Sequence, residues 1–144
     1  MILIDSTIYI DWLRNRVDPL RVLEPWINAQ AAATCGVVCA EVLRSILNPR
    51  QKERVRELFD ILVEIPTDRR LWFEAAELAW QLDRKGVMLP LTDIAIAACA
   101  LSADATIIST DEHFAKIPGV RVRPDLTGGE PADFRGPSTP RRQP

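Results

Sequence analysis

The sequence is poor in histidine and cysteine, with one histidine and three cysteines among 144 residues. Cys35 and Cys39 lack the spacing of zinc ligands, and a single histidine does not complete such a site. The cysteines are odd in number and lie in apolar surroundings, which predicts buried thiols in a reducing cytoplasm rather than disulfides. No apolar run approaches the roughly 20 residues that cross a membrane, and no basic leader precedes the first predicted strand. These absences predict a cytoplasmic protein with no membrane partner.

The chain also lacks a strong excess of either charge, since its net charge is −2. With 47% hydrophobic and 26% charged residues, its composition is typical of a globular domain. A chain of this length buries about two-thirds of its unfolded surface. The charge balance argues against a generally basic nucleic-acid binder, but it is compatible with a local basic rim around an acidic centre.

Strand-like and helix-like segments alternate along most of the chain. Apolar, mostly aliphatic runs predict strands at residues 1–5, 31–36, 62–65, 106–109 and 119–123, and helical periodicity fills the segments between them. This alternation predicts an α/β fold, a three-layer α/β/α sandwich with a mainly parallel sheet of four to five strands. Residues 127–144 hold three of the six glycines and four of the eleven prolines. We therefore expect one domain over residues 1–126 and a flexible tail over residues 127–144.

Four acidic residues lie where these predicted strands give way to helices: Asp5, Glu41, Asp93 and Asp111. In a parallel α/β sheet such junctions gather at the carboxyl edge of the strands, where ligands bind. Four carboxylates gathered there repel one another unless a cation holds them. Mg²⁺ prefers hard oxygen ligands, and two such ions about 4 Å apart activate a water and stabilise the leaving oxygen of a phosphodiester. The pattern predicts a Mg²⁺ or Mn²⁺ site.

Each acid taken alone also has a structural explanation. Asp5 and Asp93 could cap the helices that follow them. Glu41, predicted in the first turn of its helix, would be favoured there by the helix dipole and could pair with Arg44 three residues later. The four acids together are stronger evidence for a functional site, because all four occupy the same kind of junction in order along the chain.

The neighbouring polar residues are open to the same two interpretations. Ser6 and Thr7 could orient Asp5, but capping the next helix is the role that the pattern favours. Ser109 stands two residues before Asp111, where its hydroxyl could hold that acid or a metal-bound water. His113 has no second histidine to work with, so we expect a surface or helix-capping role for it.

Four stretches of the chain resemble the PIN domain and, within it, the VapC-type toxins of bacterial toxin–antitoxin pairs. Residues 2–11 (ILIDSTIYID) resemble the opening strand with its acid and hydroxyl pair, and residues 39–44 (CAEVLR) resemble the helix that carries the glutamate. Residues 91–98 (LTDIAIAA) resemble the Asp-x-x-Ile-Ala-Ala motif. Residues 107–114 (IISTDEHF) resemble the Thr-x-Asp-x-x-Phe segment, with Ser109 in place of the usual threonine. The likeness spans about residues 1–125 and depends on the order and spacing of the motifs.

The resemblance implies a metal-dependent endoribonuclease in which Asp5, Glu41, Asp93 and Asp111 hold Mg²⁺ or Mn²⁺. Ser109 keeps the hydroxyl of the residue that it replaces, so we include it in the catalytic site. The resemblance also implies an RNA substrate, a homodimer and inhibition by a cognate antitoxin protein whose tail covers the site.

Two tryptophans, Trp12 and Trp26, suggest a dimer contact through the first helices. Three other functions are compatible with parts of the same pattern. A catalytically silent PIN-like module would bind RNA or protein without cutting it, and a DNA nuclease would use the same metal chemistry. A phosphoaspartate receiver is disfavoured, because Ser6 and Ser109 occupy the neighbourhoods where it needs an acid and a lysine.

Overall fold

The structure, a computed structural model, describes residues 1–134 of the chain. Five short strands form one sheet in the order β3-β2-β1-β4-β5, and every neighbouring pair is parallel. The strands are β1 Ile2–Ile4, β2 Ala32–Cys35, β3 Val63–Ile65, β4 Thr106–Ile108 and β5 Arg121–Arg123. The predicted mainly parallel sheet is therefore confirmed.

Six α-helices flank the sheet and confirm the predicted α/β/α class. They are α1 Ser6–Arg14, α2 Pro19–Asn28, α3 Gly36–Ser45, α4 Pro49–Ile61, α5 Arg69–Arg84 and α6 Leu91–Ser102. The side chains of Asp18, Asn48 and Asp68 cap α2, α4 and α5 by accepting backbone N–H groups of the first turn. No helix in the described part of the chain is long and apolar enough to span a membrane.

The core forms around the central strands and α6. Every residue of β1, β2 and β4 is buried, which is the pattern of parallel strands covered by helices. Residues 94–100 of α6 are all buried, and the alanines among them let this helix pack closely. All three cysteines are free thiols, with Cys35 and Cys99 buried and Cys39 partly buried. The packed core thus fixes the positions of the carboxyl ends of the strands, where the acids lie.

Helix α3 begins two residues earlier than its apolar periodicity predicts. It starts at Gly36, directly after the extended residue Cys35, and no side chain caps it. Glycine is a poor helix former, so the pattern indicates a start only at Val38. The earlier start places Glu41 in the second turn of its helix rather than the first, where the sequence placed it.

The end of the described chain packs against the domain. Phe134 is 5% exposed, and its ring meets Trp26 edge to face at 4.7 Å between centroids. The Arg123 guanidinium lies 4.6 Å from the centre of the same ring. The amino group of Met1 donates a 2.7 Å hydrogen bond to the Phe134 carbonyl oxygen. Residues 127–134 of the expected flexible tail therefore end in a buried anchor, and residues 135–144 lie outside the described residues.

Tyr9 carries a buried hydroxyl that has no hydrogen-bond partner within residues 1–134. Its side chain is fully buried, with its ring edge to face against Trp12 and Phe59, and burial strongly raises its pKa. An unsatisfied buried hydroxyl costs about 1–3 kcal/mol. We therefore expect Tyr9→Phe to fold normally and to be as stable as the wild type or more stable in urea unfolding. A clear loss of stability would mean that the hydroxyl has a partner.

Candidate metal centre

The sheet order places two of the four acids at the ends of adjacent strands. Strand β1 lies between β2 and β4, and Asp5 follows β1 directly while Asp111 comes three residues after β4. The backbone N–H of Asp5 bonds to the carbonyl of Ile108 at 3.0 Å, which fixes the two strand ends together. Asp93 lies in the first turn of α6. The negative charges of Asp111 and Asp5 both act on Asp93, so these three acids form one electrostatic cluster.

Asp5 is buried and held from two sides. Its side chain is 2% exposed, and Oδ2 accepts hydrogen bonds from the hydroxyls of Thr7 at 2.6 Å and Ser109 at 2.9 Å. Although Asp5 occupies the N-cap position of α1, its carboxylate makes no capping bond. Ser109 also accepts the backbone N–H of Asp111 at 3.0 Å, so one hydroxyl positions two of the acids.

Asp93, Asp111 and His113 form the tightest group in the cluster. The Nδ1 atom of His113 lies 2.7 Å from Asp93 Oδ2 and 3.3 Å from Asp111 Oδ1. The backbone N–H of His113 donates to the same Asp111 oxygen at 2.9 Å. One donor atom from each residue lies within 4.8 Å of the others, and this is the only such group among residues 1–134, so Asp5 and Glu41 lie outside it. The Asp93 side chain therefore contacts His113 and does not cap the helix that it begins.

Glu41 approaches the cluster from α3 through a different partner. Its Oε2 accepts a 2.7 Å hydrogen bond from the hydroxyl of Ser6, which is the residue after Asp5. Among the ion pairs within residues 1–134, none joins Glu41 to Arg44, so the predicted salt bridge is wrong. The predicted capping roles of Ser6 and Thr7 are also wrong, because both hydroxyls bond to acids of the site.

All four acids share one arrangement, in which a single carboxylate oxygen is anchored. The opposite oxygen of each acid accepts no hydrogen bond from the described residues. Donors that hold one oxygen of a ligand leave the other oriented for a metal ion. The anchored oxygens are Asp5 Oδ2, Glu41 Oε2, Asp93 Oδ2 and Asp111 Oδ1.

The donor set fits a hard divalent cation. Carboxylate oxygens are the ligands that Mg²⁺ and Mn²⁺ take in proteins, and the cysteine thiols needed to favour a softer ion are absent from this cluster. Burial raises the pKa of Asp93, since a desolvated carboxylate is disfavoured without a positive partner. A cation at this position would offset that cost.

Comparison with known proteins identifies the family. The model of the PIN domain family matches residues 2–120, a range that contains all four acids and Ser109. The chain belongs to the PIN domain family. No curated protein sequence matches it.

Several solved structures share the PIN fold of this chain. VapBC2 from Rickettsia felis bound to a promoter DNA fragment is 22% identical with a TM-score of 0.69, covering 85% of this chain and 98% of that one. DNA-bound VapBC from Salmonella typhimurium is 21% identical with a TM-score of 0.70, covering 85% and 96%. FitAcB from Neisseria gonorrhoeae is 20% identical with a TM-score of 0.66, covering 85% and 96%. At such identities the likeness establishes a shared fold.

The PIN domain site includes one side chain that sequence reasoning placed elsewhere. His113 was expected on the surface or as a cap, yet its ring contacts Asp93 and its side chain is 37% exposed. The backbone of His113 begins a short 3₁₀ turn, Phe114–Lys116, without any side-chain cap. The only signal in the sequence was its position two residues after Asp111, which does not reveal where the ring points.

In the metal-free PIN domain, the protonated Asp93 carboxyl contributes to the free energy of unfolding, and this contribution is lost as the pH rises. Burial raises the pKa of its carboxyl above 3.8; the Asp111 and Asp5 charges add to the rise, and the His113 hydrogen bond opposes it. The folded state therefore binds this proton more tightly than the unfolded state, and stability is lost as the pH rises through the window between the two pKa values. In EDTA, we expect Asp93→Asn to be more stable than the wild type near neutral pH and to lose this advantage below about pH 4.

Urea unfolding of both proteins from about pH 3 to about pH 7 measures this difference. Asp11→Asn is the matched control, because it makes the same substitution at an exposed acid on α1. A gap between wild type and Asp93→Asn that stays constant with pH, or a less stable variant at neutral pH, would contradict the assignment.

Proposed function

We propose that this PIN domain is a metal-dependent endoribonuclease and the toxic component of a type II toxin–antitoxin pair. The observation that carries the proposal is the shared arrangement of the four acids, each with one oxygen hydrogen-bonded and the other without a hydrogen bond from the described residues. Asp5, Asp93, Asp111 and Glu41 would hold Mg²⁺ or Mn²⁺. When bound, the ion would lower the pKa of a water for attack on phosphorus and offset the negative charge of the phosphate.

The chain's own residues orient these ligands. Ser109 and Thr7 fix the Asp5 carboxylate, and Ser109 also sets the position of Asp111 through its backbone N–H. The hydroxyl of Ser6 orients Glu41 in the same way, by a hydrogen bond to its carboxylate. Because Asp5, Ser6 and Ser109 are all buried, water competes little for these hydrogen bonds and the geometry is set before substrate arrives.

RNA is proposed as the substrate because the motifs resemble those of VapC-type toxins. A nucleic-acid backbone needs positive partners, and we select five of the exposed basic side chains that form no ion pair within residues 1–134. They are Arg14, Arg16, Arg44, Arg50 and Lys116. These five are the proposed contacts to RNA phosphates around the acidic centre.

A cognate antitoxin is the proposed protein partner, by similarity to solved complexes whose names include VapBC. A groove of about 470 Å³ between the α1–α2 connection and α4 offers it an apolar surface. Val17, Leu20 and Ile61 line this groove and are 38%, 47% and 56% exposed. Exposed apolar side chains gathered in one groove are typical of a protein interface.

A homodimer is also part of the proposal, with helix α5 as its surface. Trp26 is buried in the core and Trp12 packs on Tyr9, so neither supports contact through the first helices. By contrast, Phe73 and Trp80 on α5 are 63% and 55% exposed. Large exposed aromatic side chains are enriched at interfaces.

Light scattering at micromolar concentration tests the dimer. We expect a dimeric mass for the wild type and a monomeric mass for Phe73→Glu combined with Trp80→Glu. Leu47→Glu is the control, because Leu47 is 96% exposed outside α5. A monomeric wild type would contradict the dimer, and an unaffected double variant would contradict the surface.

An RNA-cleavage assay tests the enzymatic function. We expect cleavage of single-stranded RNA with Mg²⁺ or Mn²⁺, no cleavage in EDTA, and no cleavage of single-stranded DNA of the same sequence. Cleavage in EDTA would reject the metal mechanism, and cleavage of DNA at the same rate or faster would favour the DNA nuclease. Metal binding without cleavage of a broad pool of RNA would favour the silent binding module.

A further inference from the structure

We propose that His113 is a positioning residue that anchors Asp93, so that the free oxygen of this acid faces the cation. The inference rests on the proposed metal site and extends it to a side chain outside the predicted acidic quartet. His113 would act on the ion only through Asp93 and would not be a ligand itself.

The two side chains form a short hydrogen bond whose direction follows from the charge of Asp93. His113 Nδ1 lies 2.7 Å from Asp93 Oδ2, which is the normal length for a charge-assisted bond. With Asp93 ionised, its carboxylate only accepts, and we therefore assign the proton of the neutral or charged imidazole to Nδ1. A nitrogen that carries a proton has no lone pair for a metal ion, so this geometry favours anchoring over ligation.

The other acids of the site are anchored in the same way by side-chain or backbone donors. Ser109 and Thr7 anchor Asp5, and Ser6 anchors Glu41. Asp93 has no hydroxyl partner among the described residues, and His113 fills that place from the turn after β4. The backbone of His113 at the same time donates to Asp111, so this residue ties two acids from separate elements to each other.

The contact also brings the turn that follows β4 to the start of α6. Asp93 and His113 are 20 residues apart, and Asp93 is the less exposed partner, at 15% against 37% for the His113 side chain. A half-exposed histidine adds little to the core, so its removal should affect the site more than the fold.

Isothermal calorimetry with Mn²⁺ on the full chain measures the proposed role. Partners that orient a metal ligand typically contribute about 10- to 100-fold in affinity, so we expect His113→Ala to weaken binding by at least about tenfold. His113→Asn should restore most of the affinity, since its amide can donate from nearly the position of Nδ1. Thr110→Ala is the control, because Thr110 is an exposed neutral residue of the same turn whose hydroxyl makes no hydrogen bond to another residue in the described part of the chain.

Nitrogen NMR of the wild type gives a second readout that needs no variant. His113 is the only histidine in the sequence, so the imidazole signals are unambiguous. We expect Nδ1 to carry the proton both without a cation and at saturating Mg²⁺. Loss of that proton on Mg²⁺ binding would make His113 a direct ligand and overturn the positioning role.

Each remaining outcome separates this inference from the function that it extends. Unchanged Mn²⁺ affinity in His113→Ala would overturn the inference and leave the acidic site intact. Equal losses in His113→Ala and His113→Asn would also contradict it, since a donor at that position would not suffice. Absence of binding by the wild type would instead contradict the proposed metal site, and with it the role of His113.

Discussion

Replacing Asp5 by asparagine is expected to reduce Mg²⁺-dependent RNA cleavage by a factor on the order of 10² to 10³. Asp5 is 2% exposed and is held by Ser109 and Thr7. The asparagine carbonyl can accept both hydroxyl bonds, which leaves the amide nitrogen where the free oxygen stood. The substitution therefore preserves the fold and the anchors but removes the charge and the oxygen that would meet the cation.

Initial rates of cleavage at saturating Mg²⁺, with urea unfolding in EDTA, test this expectation. Asp11→Asn serves as the matched control, since it removes an exposed acid from the same helix and should leave the rate unchanged. Asp5→Asn with wild-type stability and a wild-type rate would contradict the proposed role of the acid. A fall in rate with an equal fall in Asp11→Asn would indicate a general charge effect rather than a site.

Replacing Phe134 by alanine is expected to destabilise the fold by about 3–5 kcal/mol. The Phe134 ring is 5% exposed between Trp26 and Arg123, and its carbonyl accepts the amino group of Met1. Leu47→Ala is the control, because Leu47 is 96% exposed outside the proposed dimer surface and truncating it should change stability by roughly 0.5 kcal/mol or less.

Two truncated chains sharpen this prediction and locate the end of the domain. A chain that ends at residue 134 should melt like the full chain, whereas one that ends at residue 126 should be destabilised about as much as Phe134→Ala. The melting temperatures of the two truncated chains show whether the domain ends at residue 126 or at residue 134. Equal melting temperatures for both truncations and the full chain would support the boundary at residue 126 that the composition predicts.

The strands and helices could be predicted from the sequence because each leaves a strong local pattern. Strands buried between helix layers read as continuous apolar runs, and β1 and β4 are fully buried as that pattern requires. The junction acids followed from the same pattern, since the ends of parallel strands meet at one edge. Helix α3 is the exception, because Gly36 and Cys35 give no start signal.

The hydrogen-bond partners within the site could not be predicted in the same way. Ser6 has a local alternative as a helix cap, and nothing nearby shows that its hydroxyl meets Glu41, 35 residues away. His113 and Asp93 are 20 residues apart and meet only because the turn after β4 lies beside the start of α6. Sequence patterns indicate hydrogen bonds between residues that are close in the chain. They do not indicate contacts between residues that only the tertiary fold brings together.

Phe134 illustrates the same limit in packing. It is the single aromatic residue in a segment rich in glycine and proline, a composition typical of chains that bury little. Its partner Trp26 lies more than a hundred residues earlier, in α2. One buried aromatic side chain is enough to hold the segment against the domain. The overall composition of the segment does not reveal the effect of a single residue.

Anomalous diffraction from crystals soaked in Mn²⁺ tests the central claim most directly, because it locates the ion itself. We predict a peak at the acidic cluster, beside the carboxylates of Asp5, Glu41, Asp93 and Asp111 that would hold the ion. His113 Nδ1 should remain hydrogen-bonded to Asp93 and outside the coordination sphere, and Asp5→Asn crystals should show a weaker peak or none. A well-ordered crystal at saturating Mn²⁺ with no peak among these acids would contradict the metal centre on which the proposed function depends.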